Sequence, residues 1–319
     1  MDRSEPNDIW LNLLLSDPFL IAQFLYRYRI VSAPACPKGS CNGTCTPIRI
    51  TSARDHARHR FPVKWQCSEP RCNGQRPFCF GSYLHGTHLS VAMHVRLLYK
   101  YYLGRTAGEA AAELNVHVNT VETWFSFYRR CVSNWMQNNF YPNFQFDARF
   151  ATQVDEAHFI KKQKHNRGNP GGGPFANRAS QKWVLGMTQT ETKYIALKHV
   201  RNRGGPELEA FIGPLCPIGS AIVSDCWGGY MGLNRLGFLH YNVNHEVGFV
   251  HPFTGMHTNT MEGAWALVRG HLRKFRGIKE DNLQEFLDDY AFRKNVKQTG
   301  SVWIKLLLVI GAKQSVVAH

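Results

Sequence analysis

From Phe150 onward the chain is a series of short β-branched and apolar runs separated by turns and helix-like stretches, and this order constrains the fold most. Phe150 to Ile160, Lys182 to Thr188 and Tyr194 to Val200 read as three successive strands. The last two are joined by the short connection Gln189-Thr-Glu-Thr-Lys193. Pro206 to Ile212 starts a helix, Ala221 to Asp225 is a buried strand, and Leu239 to Asn244 is another. Thr260 to Phe275 and Asn282 to Asn295 carry helical spacing.

Three antiparallel strands, a helix, two more strands and closing helices predict an α/β domain with RNase H-like (retroviral-integrase-like) order. Three acids stand at telling places in it. Asp155 and Asp225 close strand-like runs, and Glu262 opens the helix after Met261. Taken singly, each reads as a cap or a solvated charge. Together, two strand carboxylates that need partners and one helical carboxylate form the oxygen donor set of a two-metal phosphoryl-transfer site, with Mg²⁺ or Mn²⁺ as the ions. Asn259, Trp265 and Arg269 share the helical face of Glu262. Arg269 is placed to hold a phosphate, and Arg273, Lys274 and Arg276 make the helix exit basic.

The formal charge of +15 over 319 residues favours a polyanion as partner. Six of the nine cysteines lie between Cys36 and Cys79. Cys36-x4-Cys41 and Cys67-x4-Cys72 are each followed by Asn-Gly, a pair expected to tolerate positive φ and so to close a turn around a metal. Four thiolates predict a structural Zn²⁺ ribbon, with Cys45 and Cys79 as rival ligands. Arg58, Arg60, Lys64 and Arg71 would give that ribbon a basic face for DNA. Downstream, Thr106 to Trp124 reads as a helix-turn-helix, with Asn119 as N-cap and Glu122 at the capping-box position of the second helix. Asn119, Thr120 and Thr123 are the expected DNA-reading side chains. The N-terminal apolar run is broken by Asn12, Asp17 and Pro18, so neither a leader nor a membrane span is expected there.

Thr-Gln-Val-Asp155-Glu, Val-Ser-Asp225-Cys-Trp-Gly-Gly-Tyr and Gly255-Met-His-Thr-Asn-Thr-Met-Glu262-Gly-Ala-Trp resemble the motifs of Merlin-type transposases, cut-and-paste DDE enzymes related to bacterial insertion-sequence transposases. The resemblance runs from the cysteine segment to about Asn295, with 36 residues between Asp225 and Glu262. It implies that Asp155, Asp225 and Glu262 hold two metal ions, supported by Asn259 and His257. It also implies double-stranded DNA, both transposon ends and target, as substrate.

The expected organisation is a helical segment (1–33), a zinc ribbon (34–82), a helical helix-turn-helix segment (83–145) and the catalytic domain with C-terminal helices (146–319). Joining two DNA ends calls for at least a dimer. A DNA substrate and reduced cysteines point to the nucleus of a eukaryote or the cytoplasm of a bacterium. The competing readings are a transposase-derived DNA-binding protein without catalysis and a structure-specific nuclease.

Overall fold

The computed structural model describes residues 5–53, 59–159, 182–243, 258–275 and 278–312. Its contacts divide the chain into two compact units, Met1–Cys131 with Gly300–His319, and Val132–Thr299.

The first unit begins with α1 (Asp8–Leu15) and α2 (Pro18–Arg27), bent by 110° at their junction. Asp17 divides the expected helical segment by accepting from Phe19 N at 2.8 Å, and Pro18 starts α2 where its missing N–H is harmless. No single helix among the described residues is long and apolar enough to cross a membrane. Three antiparallel strands follow: β1 (Cys45–Arg49), β2 (Val63–Cys67) and β3 (Gln75–Pro77). So small a sheet has little core of its own, and Trp65 is its anchor. The indole is fully buried, stacks on Phe78 at 5.3 Å, meets Tyr26 of α2 edge-on and donates to Phe78 O. Next come α3 (Val91–Tyr102), α4 (Ala107–Leu114) and α5 (Val118–Trp135), the last of which runs on past Cys131, where the first unit ends. The last helix, α9 (Val302–Ala312), returns to this unit. Its Trp303 packs among Trp10, Phe24, Tyr99 and Tyr102, and Glu5 accepts from Val302 N and the Ser301 hydroxyl at its N-terminus.

The second unit holds a five-stranded sheet in the order β6-β5-β4-β7-β8. β4 (Thr152–Phe159), β5 (Lys182–Thr188) and β6 (Ile195–Val200) are antiparallel, while β7 (Ala221–Ser224) runs parallel to β4 and β8 (Leu239–Asn242) parallel to β7. α6 (Gly205–Leu215) connects β6 to β7, and α7 (Asn259–Arg273) and α8 (Glu280–Val296) follow the sheet. This mixed order fits the RNase H-like expectation. Val154, Val184, Leu185, Met187, Leu197, Ile222 and Val223 are fully buried, so the central strands are apolar on both faces. The open edge of β6 is covered by side-chain amides of α8. Asn295 pairs with both the N–H and C=O of Ile195, and Gln284 bonds His199 N and Leu197 O.

Candidate functional site

β4 and β7 pair only through Thr152↔Ile222 and Gln153↔Val223. Two residues further on lie Asp155 and Asp225. The two-residue repeat of a strand keeps them on one face, just where the ladder ends. Asp155, Glu156 and Asp225 each bring a carboxylate oxygen within 4.8 Å of the other two.

Each carboxylate has its own support. Asp155 Oδ2 accepts from the Trp265 indole at 2.9 Å. Asp225 Oδ1 accepts from Trp227 N at 3.0 Å, while the Trp227 indole donates to Arg203 O at 3.0 Å. The Glu156 side chain is completely buried, accepts from Arg203 Nη2 at 3.3 Å and lies beside the buried Tyr230 hydroxyl. Arg203 lies over the Trp183 ring at 4.6 Å and the Trp227 ring at 4.0 Å. Burial pushes the Glu156 carboxyl up, and Arg203 opposes that. Tyr230, also fully buried, is raised well above the usual phenol range by burial and then by the nearby acids.

α7 is fastened to β4 at its first turn. Gln153 accepts from Met261 N at 3.1 Å and donates to the Thr260 hydroxyl at 3.2 Å. Gly186, opposite Asp155 in the ladder, makes room for this. A Cβ there would stand 2.5 Å from Met261 Cε and 2.6 Å from the Trp265 ring. Glu262 lies in this docked turn and is exposed. It is not among the three carboxylates gathered within 4.8 Å, where Glu156 stands instead. Asn259 opens α7 and is exposed, and Arg269 is exposed with its guanidinium 5.7 Å from the Phe159 ring. Arg273 and Lys274 are exposed at the end of the helix. His257 and Arg276 lie outside the described residues.

In the first unit Cys36, Cys41, Cys67 and Cys72 converge, with their ligand atoms all within 4.8 Å of one another. Cys36 and Cys72 sulfurs are 3.5 Å apart, and those of Cys41 and Cys67 3.6 Å. Tetrahedral thiolate coordination at about 2.3 Å places sulfurs about 3.8 Å apart, so the four residues fit such an ion. Cys45 and Cys79 are not in this cluster; Cys79 is enclosed elsewhere, its thiol pushed up to about 12 by burial. The Gly74 N–H helps bring the Cys72 thiol down to about 7, toward the thiolate that a metal requires. The Asn-Gly pairs serve differently from expected. None of the four residues has positive φ. The glycines are there for close approach: a Cβ on Gly43 would lie 2.5 Å from Cys67 Sγ, and one on Gly74 would lie 2.8 Å from Cys36 Sγ.

Among the basic residues of the ribbon, Arg60 and Arg71 are exposed. Lys64 departs from the expected DNA face, being 5% exposed and donating to Gln75 at 3.0 Å. Arg58 lies outside the described residues. α4 and α5 form the predicted helix pair. Thr106 and Glu109 close a capping box on α4, and Asn115 makes the left-handed turn. The cap of α5 is His117, not Asn119. α5 starts at Val118, and His117 Nδ1 accepts from Asn119 N at 3.2 Å. Glu122 therefore does not close a capping box; it accepts from Arg129 at 2.7 Å. Asn119 and Thr123 are exposed and Thr120 half-buried.

Residues 151–295, a little under half of the chain, match the model of the ISXO2-like transposase domain family. The match spans all three gathered carboxylates and Glu262. What it supports is a DNA transposase of the DDE type. No curated protein matches the chain. Solved structures that share features with it include the Mos1 strand transfer complex (12% identity, 67% of this chain and 80% of that one, TM-score 0.20) and a pre-cleavage Mos1 transpososome (12%, 65% and 75%, TM-score 0.17).

Sequence reasoning missed Glu156, Arg203 and Tyr230. The Asp155-Glu156 pair at the end of a strand-like run was the available signal for the first. Arg203 sits in an Asn-Arg-Gly-Gly loop whose partner is 47 positions away, and no local pattern marks it.

Proposed function

We propose that this chain cuts and rejoins DNA at the ends of a mobile element by metal-dependent phosphoryl transfer, in the manner of the Merlin-type enzymes its motifs resemble. The observation that carries the reading is the meeting of Asp155 and Asp225 where the β4–β7 ladder ends. In this reading Asp155, Asp225 and Glu262 hold Mg²⁺ or Mn²⁺. The ions, when bound, supply the Lewis acid that activates a water or a 3′-hydroxyl and offsets charge on the leaving oxygen. The protein's own part is positional. The Trp265 indole fixes the Asp155 carboxylate, and the Trp227 N–H fixes Asp225. Arg269, on the docked helix, holds a phosphate of the DNA strand. No Ser or Tyr nucleophile is required, because the attacking group is water or the DNA 3′-end.

The four thiolates hold a structural Zn²⁺, and the ribbon with α4 and α5 binds terminal repeats through Arg60, Arg71, Asn119, Thr120 and Thr123. Two copies act on a pair of ends, in the nucleus of a eukaryote or the nucleoid of a bacterium. The test is Asp225→Asn in a cleavage assay on DNA bearing the element's own terminal repeats with Mg²⁺. Loss of at least a hundredfold in rate, with repeat binding kept, is expected. Undiminished cleavage would refute the assignment, and binding by the wild-type chain without any metal-dependent nicking would favour a DNA-binding protein without catalysis.

A further inference from the structure

The first turn of α7 takes its cap from another element. Thr258, at the N-cap position, makes no side-chain capping bond, and Met261 N donates to the Gln153 side chain of β4 at 3.1 Å. Gln153 is 4% exposed and uses its other end as well. Its Nε2 donates to the hydroxyls of Thr260 and Thr190, both at 3.2 Å, and those two hydroxyls are 2.7 Å apart. The three side chains close a triangle across β4, α7 and the turn after β5. That turn is itself fixed, since fully buried Gln189 donates to Asp147 O, Phe150 O and the Thr152 hydroxyl.

A second bond joins the same two elements. Asp155, two residues along β4 on the same face, accepts from the indole of Trp265, four residues along α7. Two strand residues cover about 6.6 Å and four helical residues about 6 Å, so the two attachments match in spacing. Glu262 lies in the turn of α7 between them. The apolar packing of Met261 and Trp265 over Gly186 holds the helix to the sheet but discriminates weakly between neighbouring registers. A buried polar network does discriminate, because a slipped helix leaves its donors and acceptors unpaired. One residue of slip turns α7 by about 100° and carries Glu262 to another face.

We infer that Gln153 is a positioning residue of the reaction: with Thr190 and Thr260 it sets the register of α7 on β4, and so the place of Glu262 relative to Asp155. This rests on the reading of Glu262 as a cation ligand. Gln153 touches neither cation nor DNA in this role and acts through the helix alone.

Mn²⁺ binding to the full chain without DNA, followed by electron paramagnetic resonance of the free ion, tests this apart from cleavage. Gln153→Met keeps the length and burial of the side chain and removes its polar end. Met261 N retains Thr258 O as an acceptor at 3.0 Å, so the helix keeps its start. The variant is expected to bind Mn²⁺ about tenfold more weakly. In a Glu262→Gln background the same change is expected to cost less than about twofold, because the carboxylate to be positioned is gone. Thr260→Val opens the triangle from the helix side with β4 untouched, and is expected to weaken binding in the same direction. Wild-type affinity in either variant, with Glu262→Gln weakened, would overturn the inference. So would an equal loss with and without Glu262, which would make Gln153 a support of the fold alone. Wild-type affinity in Glu262→Gln would overturn the underlying reading of that carboxylate instead.

Discussion

At the scale of single residues, the acid centre depends on donors rather than on the acids alone. The Trp265 indole donates to Asp155 Oδ2 at 2.9 Å. Trp265→Phe keeps most of the buried ring and removes only the N–H. A hydrogen bond to a charged acceptor contributes about 1.5–3 kcal/mol, so DNA cleavage should fall about tenfold or more while the melting temperature changes by only a few degrees. A larger thermal shift than catalytic loss would assign the indole to packing instead. His94 shows a different residue-scale effect. It is 4% exposed, bonded through Nε2 to the Thr87 hydroxyl at 2.9 Å and set edge-on to Trp124. Burial brings its pKa from 6.5 down to about 4, so the folded chain takes up this proton less readily than the unfolded one. The stability it contributes is whole above about pH 6.5 and is lost as pH falls toward 4, on the order of 3 kcal/mol. The difference in urea midpoint between wild type and His94→Gln should therefore change between pH 7.5 and 4.5, and a constant difference would show that the ring is not held neutral.

At the scale of elements, glycine governs two close approaches. Gly186 lets α7 lie against the strand that carries Asp155. Gly186→Ala should force Met261 and Trp265 outward, cost about 1–3 kcal/mol in chemical denaturation and reduce cleavage in the same variant. Normal activity would show that α7 need not sit this close. Gly43→Ala should lower the zinc content of the purified chain, measured by a colorimetric chelator, because the added methyl meets Cys67 Sγ; a full zinc complement would contradict that. These elements were legible to different degrees. β5 was read with its observed bounds, since its apolar run ends cleanly in turn residues on the C-terminal side. The break between α1 and α2 is written in Asp17-Pro18, a capping side chain followed by a residue suited to the first turn of a helix. The cap of α5 was misplaced by two residues because histidine is not among the usual capping side chains, and Asn119 is. The role of Gly43 and Gly74 was hidden because a sequence shows a glycine's permissiveness but not which atom lies above its Cα. Glu156 and Arg203 meet only through the sheet, the α6 loop and two indoles, and that coincidence belongs to tertiary structure.

At the scale of the whole molecule, the first unit is made from two separate stretches of chain, with the second unit lying between them in sequence. Trp303 is the main apolar contribution of the later stretch, nearly buried among Trp10, Phe24, Tyr99 and Tyr102. Trp303→Ala should lower the stability of the first unit by about 3–5 kcal/mol. Scanning calorimetry should show that loss in one transition and leave unaltered the one belonging to residues 132–299; an equal shift in both would mean that the units unfold together. The placement of α9 also sets a timetable. On a ribosome the chain emerges from its N-terminus, so the ribbon and its flanking helices appear first. Their core nevertheless lacks Trp303 until the whole of the second unit, with the sheet that bears Asp155 and Glu156, has been synthesised. Of the two units, the one begun first is the one whose chain is completed last.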